Sequence, residues 1–250
     1  SFSVSPSKRF FYCFGCRESG DVFTFLMKYE GLDFNEAKRK LGDLVGIEVA
    51  KPSLQERQRK QAHAQLTNAN LVAQSFFVAQ LWKESSKEAR RYLEKRGIPL
   101  HYAREVKMGF GGASADFFEH LEKGKIDRDL AFKAGLLGDS RERCLFEGKI
   151  VFPIFSDGNL AGFGARRIGD GSGPKYINSR ESLLFQKSQL LFGWDAAQDA
   201  LRRHRRAVVV EGYTDVLACH QNGVHEAMAA LGTSFTSEHA KRIKRLVTSQ

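Results

Sequence analysis

The sequence contains no apolar run long enough to cross a bilayer and no signal-peptide pattern at its start. Both absences argue against a membrane partner and against secretion. Only four cysteines occur, and two of them, Cys144 and Cys219, stand alone. That excludes a secreted disulfide framework and makes a reducing cytoplasm the expected location. Acidic charge is in deficit: 29 Asp and Glu against 39 Lys and Arg leave a net charge of +10. A surplus of that size favours a polyanionic partner. What remains is ordinary for a globular chain, with 42% hydrophobic and 27% charged residues among 250. That length suits one large domain or two to three small ones. No initiator Met precedes Ser1-Phe2-Ser3-Val4, and Leu246 to Gln250 reads as the start of a new strand. Both ends are therefore expected to be cut.

Two carboxylates stand out. Ala207-Val208-Val209-Val210 stops at Glu211-Gly212-Tyr213-Thr214-Asp215. A β-branched run without alternation predicts a parallel strand covered on both faces. Its carboxyl end is where ligands gather in open α/β sheets. Four residues separate the two acids, so a helical turn aims both at one spot. Such oxygens suit a hard cation such as magnesium. The alternative is that both acids only favour the positive end of a helix.

The paired cysteines, Cys13 and Cys16, lie in Phe11-Tyr12-Cys13-Phe14-Gly15-Cys16, downstream of alternating residues that predict a hairpin strand. A C-x-x-C knuckle supplies half of a tetrahedral zinc site. A redox pair is the rival reading, although it would normally open a helix in a βαβ unit. No His precedes His63 to complete a zinc site nearby.

Periodicity predicts helices over 22–29 with Asp21 as N-cap, from Asp33 or Asn35 to Leu44, over 66–81 and from Ser86 to Arg96. Ala50 to Gln65 has almost no apolar content and reads as a solvated linker or exposed helix. Lys149–Ile154 and Leu160–Arg167 read as strands joined by a turn at Asp157-Gly158-Asn159. Gly162 and Gly164 keep one face of the second strand bare, so a backbone or a ligand can approach. A Gly-rich loop with one Lys follows, Gly171 to Ser179. Arg141, Arg143, Lys149, Arg166, Arg167, Lys175, Arg180 and Lys187 recur through this β-rich region, with aromatics between them. Such a surface would track a phosphate backbone, or it is a solvated cationic face. Arg202 to Arg206 reads as a helix end and loop.

Taken in order, Tyr12–Cys16, Gly162-Phe163-Gly164-Ala165-Arg166, Pro174-Lys175-Tyr176-Ile177-Asn178-Ser179 and Val210–Asp215 resemble the bacterial replicative DNA primases of the DnaG type. The resemblance runs through essentially the whole chain. It implies an α+β and α/β multidomain fold. The expected parts are the end of a zinc-binding domain (1–49), a linker (50–65), the mixed subdomain of the polymerase domain (66–205) and the start of a Rossmann-like Toprim sheet (206–250). Cys13 and Cys16 then resemble two zinc ligands, with a Cys and a His expected before Ser1. Glu211 resembles the Toprim catalytic glutamate and Asp215 the acid that follows it, a partial magnesium or manganese site. An Asp-x-Asp motif would lie beyond Gln250. Arg96, Arg166, Lys175 and Lys187 resemble basic residues lining the template and nucleotide groove. Lys149 stands where the family often has Arg, and it lacks the bidentate fork.

The implied activity is RNA primer synthesis from ribonucleoside triphosphates on a single-stranded DNA template. The implied partner is the replicative helicase, through a further C-terminal domain. With half of each metal site missing, this chain alone is expected to make no primers. Other readings are a Toprim topoisomerase or nuclease, a phage primase-helicase, or a non-catalytic module that binds single-stranded DNA.

Overall fold

The computed structural model describes residues 2–48, 53–169, 173–232 and 234–248. The chain divides into two compact units, Ser1–Gln58 and Arg59–Gln250. Among the described residues, no helix is long and apolar enough to cross a membrane.

The first unit opens with three short antiparallel strands in the order β1-β2-β3: β1 (Phe2–Ser5), β2 (Phe10–Cys13) and β3 (Ser19–Gly20). Their apolar side packs Phe2 and Phe11 (5.5 Å between ring centroids) and Phe11 against Phe25 (5.5 Å). Phe25 belongs to α1 (Val22–Glu30), which Asp21 caps by accepting the Thr24 N–H at 2.8 Å. Gly31 ends this helix in the left-handed conformation at φ 70°, where a side chain would cost energy. Helix α2 (Phe34–Leu44) begins at Asp33, which forms a reciprocal capping box with Glu36. Of the two N-caps the sequence offered, Asp33 is used, because the glutamate that answers it lies three residues on.

Helix α3 (Leu54–Leu81) starts earlier than the apolar pattern alone indicates. Ser53 and Glu56 make a second capping box, and residues 54–61 form exposed helix within the stretch read as linker or exposed helix. Residues 49–52 of that stretch lie outside the described residues. From Leu66 onward α3 turns a buried side inward, with Ala69, Ala73, Phe76, Phe77 and Leu81.

After α3 come α4 (Lys87–Lys95), α5 (Leu100–Glu105), β4 (Gly109–Phe110), α6 (Ser114–Lys123) and α7 (Arg128–Lys133). The main antiparallel sheet has the order β4-β5-β6-β7, with β5 (Lys149–Ser156), β6 (Asn159–Arg167) and β7 (Tyr176–Asn178). A two-residue turn joins β5 to β6, with Asp157 at φ 53° and Gly158 at φ 79°. The Asp195 carboxylate accepts both turn N–H groups, at 2.7 and 2.8 Å. Each face of this sheet has its own core. Val151, Phe163 and Ala165 pack with Phe77, Phe117 and Phe146 on one side. Ile150, Phe152 and Ile154 pack with Tyr213, Val216 and Ala229 on the other.

The chain then forms a three-stranded sheet of order β8-β10-β9. Its elements are β8 (Leu191–Phe192), α8 (Trp194–His204), β9 (Val208–Val210), α9 (Tyr213–Gln221), β10 (Ala227–Ala230) and α10 (Ser237–Val247). Two expectations need correction. Strand β9 is parallel to β10, as read, but it lies at the edge of the described sheet and Val209 is 47% exposed. A β-branched run has the same propensity at an edge as at a sheet centre, so the sequence could not separate the two. Leu246 and Val247 do not begin a strand. They close α10 and pack with Trp194 and Met228.

Glu226, just before β10, is fully buried and accepts a hydrogen bond from Arg206, with His204 nearby at 3.4 Å. Its own backbone N–H, then Arg206 and His204, hold its carboxyl down at about 2 from 4.5. A depressed carboxylate contributes stability that is complete above the unfolded value and is lost as pH falls through the folded one. Thermal melts should therefore lose stability between pH 4.5 and 2, and Glu226→Gln should flatten that part of the profile. An equally steep profile in the variant would contradict this.

Candidate active site and nucleic-acid interface

The turn after β9 is short because Gly212 is fully extended (φ −154°, ψ 180°) and α9 begins at the next residue. Asp215 sits in the first turn of α9 and accepts the Gly212 N–H at 3.0 Å. The helix-end reading is thus true of one oxygen of Asp215. Glu211 is exposed and makes no hydrogen bond or ion pair among the described residues. Its carboxylate is open to a cation, and Asp215, four residues on, keeps a second oxygen. The helical turn expected to carry both acids starts only at Tyr213, so Glu211 stands outside it, because Gly212 is extended.

Tyr213 fixes this turn to the main sheet. Its ring stacks on Phe152 (5.1 Å) and meets Phe192 edge-on (4.8 Å). Its buried hydroxyl donates to Asn178 Oδ1, while Asn178 Nδ2 donates to the Leu231 carbonyl at 2.9 Å. Burial pushes the Tyr213 phenol pKa up. The bare strand face expected at Gly162 and Gly164 is occupied by this chain's own side chains. A Cβ on Gly164 would lie 2.4 Å from the Tyr213 ring, and one on Gly162 would lie 2.5 Å from Phe185. Ser179 Oγ accepts the Phe163 N–H at 3.0 Å, so the glycine strand, the Asn178-Ser179 segment and the Glu-Gly-Tyr turn meet at one place.

Next along β6 stands Arg166, 3% exposed. Its Nε donates to the Tyr92 hydroxyl and its Nη1 to the Tyr176 hydroxyl, and Nη2 is buried without a partner among the described residues. Arg96 Nε donates to the same Tyr92 hydroxyl at 3.2 Å. The Arg166 guanidinium lies 4.9 Å from the Tyr176 ring and 5.6 Å from the Tyr92 ring. Among the described residues these two cations are held by phenols and by no carboxylate, an arrangement of positive charge that favours an anion. Tyr92 is the residue that sequence reasoning missed. In an amphipathic helix such as α4 it reads as packing, and only the fold shows that it joins Arg96 to Arg166.

The remaining basic residues separate. Lys149 lies opposite Arg167 in the ladder, one step from the Ile150–Arg166 pair, so alternation puts it on the other sheet face from Arg166. Its ammonium donates to the carbonyls of Glu147 (3.0 Å) and Leu145 (3.4 Å), and burial lowers its pKa. Lys175 is exposed, just before β7. Lys187 is half-buried in the loop before β8, where its N–H donates to Glu181 (3.2 Å) and its carbonyl accepts from His239 (3.1 Å). Gly171 and Ser172 of the Gly-rich loop lie outside the described residues.

In the first unit, Cys13 ends β2 and Cys16 closes the turn after it. The N–H of Cys16 leads in lowering the Cys13 thiol pKa, followed by the Cys16 thiol and the N–H of Gly15. Both N–H groups therefore stabilise a thiolate, which is what a metal takes. The pair fits two positions of a zinc site. Among the described residues no group of three or more His, Cys, Asp or Glu completes it. The hairpin setting differs from that of redox pairs, which open a helix.

Three family sequence patterns cover most of the chain: the CHC2 zinc finger over residues 1–58, the N-terminal domain of the DNA primase catalytic core over 76–198, and the Toprim domain over 205–249. A DNA primase of Rickettsia typhi is 39% identical over 98% of this chain and 41% of its own length. The chain thus spans about two-fifths of the length of the curated relatives it matches. Among solved structures, the zinc-binding and RNA polymerase domains of the Aquifex aeolicus primase are 32% identical over 98% of this chain and 60% of that one, with a TM-score of 0.68. The RNA polymerase domain of Mycobacterium tuberculosis primase DnaG, in complex with a double-stranded DNA carrying a 6-nucleotide overhang, is 35% identical over 74% of this chain and 59% of that one, with a TM-score of 0.69. On these grounds the chain belongs to the bacterial DnaG-type DNA primase family.

Proposed function

We propose that this chain carries the template-holding surface and the first metal-binding acids of a primase, which copies single-stranded DNA into short RNA primers. The observation that supports this most is Tyr213, which docks the turn bearing Glu211 against the strand bearing Arg166. Binding of polyphosphate and binding of metal then belong to one centre. Arg166 and Arg96, anchored through Tyr92, neutralise phosphate charge and orient it without a counter-ion to displace. Glu211 holds a divalent ion or accepts the proton of the attacking hydroxyl, and Asp215 offers its second oxygen beside it. Magnesium or manganese bound there supplies polarisation of the α-phosphate of the incoming ribonucleotide and activation of the primer 3′-hydroxyl. Cys13 and Cys16 hold structural zinc in a module that engages template. The partners are therefore template DNA, ribonucleoside triphosphates and the RNA product, with the helicase reached through a separate domain and a cytoplasmic location.

The test is ribonucleotide incorporation by the full-length protein on single-stranded DNA with magnesium. Template-dependent RNA is the expected product. Nicking of the DNA without RNA synthesis would instead favour a Toprim nuclease and end the primase reading. Lys175→Ala should weaken DNA binding and flatten its salt dependence by roughly 0.7 in log–log slope, the loss of one phosphate contact. An unchanged slope would remove Lys175 from the interface.

A further inference from the structure

Phe185 and Phe192 pin the two ends of the loop that leads into β8. A Cβ on Gly162 would lie 2.5 Å from the Phe185 ring, and the Phe192 ring meets Tyr213 at 4.8 Å. Gly162, Gly164 and Arg166 alternate along β6 and share one face, successive members roughly 7 Å apart. Phe185, Tyr213 and Arg166 therefore stand in a row on that face. Lys187 follows two residues after Phe185, at most about 7 Å of chain away. Its ammonium makes no hydrogen bond or ion pair among the described residues.

Helix α10 holds this loop through three consecutive carbonyls. That of Lys187 accepts from His239 Nε2 at 3.1 Å, that of Ser188 from the Thr236 hydroxyl at 2.7 Å, and that of Gln189 from Arg242 Nη1 at 3.2 Å. Glu181 accepts the Lys187 N–H at 3.2 Å, so both backbone groups of Lys187 are fixed. His239 and Thr236 also close the capping box of α10. Thr236 Oγ1 accepts the His239 N–H, and His239 Nδ1 accepts the Thr236 N–H, each at 3.1 Å. One ring nitrogen accepts while the other donates, which requires the neutral imidazole with its hydrogen on Nε2. His239 is fully buried, and burial lowers its pKa, which favours that form. A capping box alone asks only for an acceptor at this position. The donor that His239 adds goes to the Lys187 carbonyl.

We propose that His239, together with Thr236, is a positioning residue for Lys187, fixing the loop backbone so that the Lys187 ammonium is already aimed at a bound phosphate. The inference deepens the functional reading above and rests on it. An ammonium on a flexible stem gains most from such support, because ordering it at the moment of binding costs affinity. The phosphate belongs either to the incoming nucleotide or to the template strand.

The test is a double-mutant cycle in the full-length protein, His239→Ala against Lys187→Ala. It reads the KM for ribonucleotides in primer synthesis, the Kd for labelled oligothymidylate and the melting temperature. A risen KM marks the nucleotide phosphate, and a risen Kd marks the strand. His239→Ala alone should weaken the ligand that Lys187→Ala weakens by roughly fivefold, and by less than about twofold once Lys187 is gone. The melting temperature should fall equally in both backgrounds, because the cap is lost in each. His239→Gln offers an acceptor to Thr236 and a donor to Lys187, so it should restore binding. Equal losses in both backgrounds would mean a general loosening and overturn the proposal. So would Lys187→Ala without effect on either ligand, or a His239→Gln protein as weak as His239→Ala. Should His239→Ala not fold, Thr236→Val, which takes the hydroxyl from Ser188, enters the same cycle under the same criteria. An unaltered protein that makes no primers and binds no oligothymidylate would sink the functional reading itself. One that does both while the cycle is additive loses only the positioning role.

Discussion

Glu211→Gln in the full-length protein should reduce primer synthesis by about two orders of magnitude or more, the scale on which a single pre-aimed electrostatic group acts in a transition state. Affinity for single-stranded DNA should stay nearly constant or tighten slightly, because the cations of the interface are untouched and one negative charge has gone. The side chain is exposed and makes no hydrogen bond or ion pair among the described residues, so folding should change by no more than about 0.5 kcal/mol. Measured together, synthesis, binding and melting temperature separate three accounts. A purely structural acid would move the melt. A binding module would show no synthesis to lose. Only a metal-holding or proton-accepting group loses chemistry alone.

Tyr213→Ala should have the largest effect on stability, about 3–5 kcal/mol, the usual cost of deleting a buried aromatic ring. Chains of this kind are stable by only about 5–15 kcal/mol in total, so the loss is a large share. Phe152, Phe192 and Gly164 would line the resulting void, and Asn178 Oδ1 would lose its donor. Tyr213→Phe keeps the ring and removes only that hydrogen bond, at about 1 kcal/mol. Gly164→Ala attacks the same contact from the other side and should cost about 1–3 kcal/mol by overpacking. Trp82 and Trp194 both belong to the second unit, so the urea midpoint of tryptophan fluorescence reports on it directly. A shift for Tyr213→Ala equivalent to less than about 1 kcal/mol would mean that the turn is not anchored through this residue.

Much of this site was legible beforehand because its parts depend on local chemistry. Asp21 and Asp33 announce their helices by answering N–H groups three residues on. Asp157-Gly158 announces its turn because both residues tolerate positive φ. The Glu-Gly-Tyr turn can be read from an apolar run that stops at a glycine. Long-range relations were not legible. That Gly164 is bare for the sake of Tyr213, 49 positions along the chain, depends on two sheets meeting. Arg166 and Arg167 are neighbours in sequence, yet β pleating sends them to opposite faces, so a list of basic residues could not be sorted into sites. Tyr92 belongs with Arg166 only because α4 lies over that strand. An edge strand such as β9 looks like a central one until its partners are known.

The central claim is that a divalent ion collects at Glu211 beside the strand that carries Arg166. It can be tested most directly by replacing magnesium with ferrous iron in the full-length protein and mapping the backbone cuts made by locally generated hydroxyl radicals. Cleavage should cluster at residues 211–215 and at the neighbouring 162–166 segment, and both sets should disappear in Glu211→Gln. Cuts that avoid 211–215, or that persist unchanged in the variant, would contradict the account.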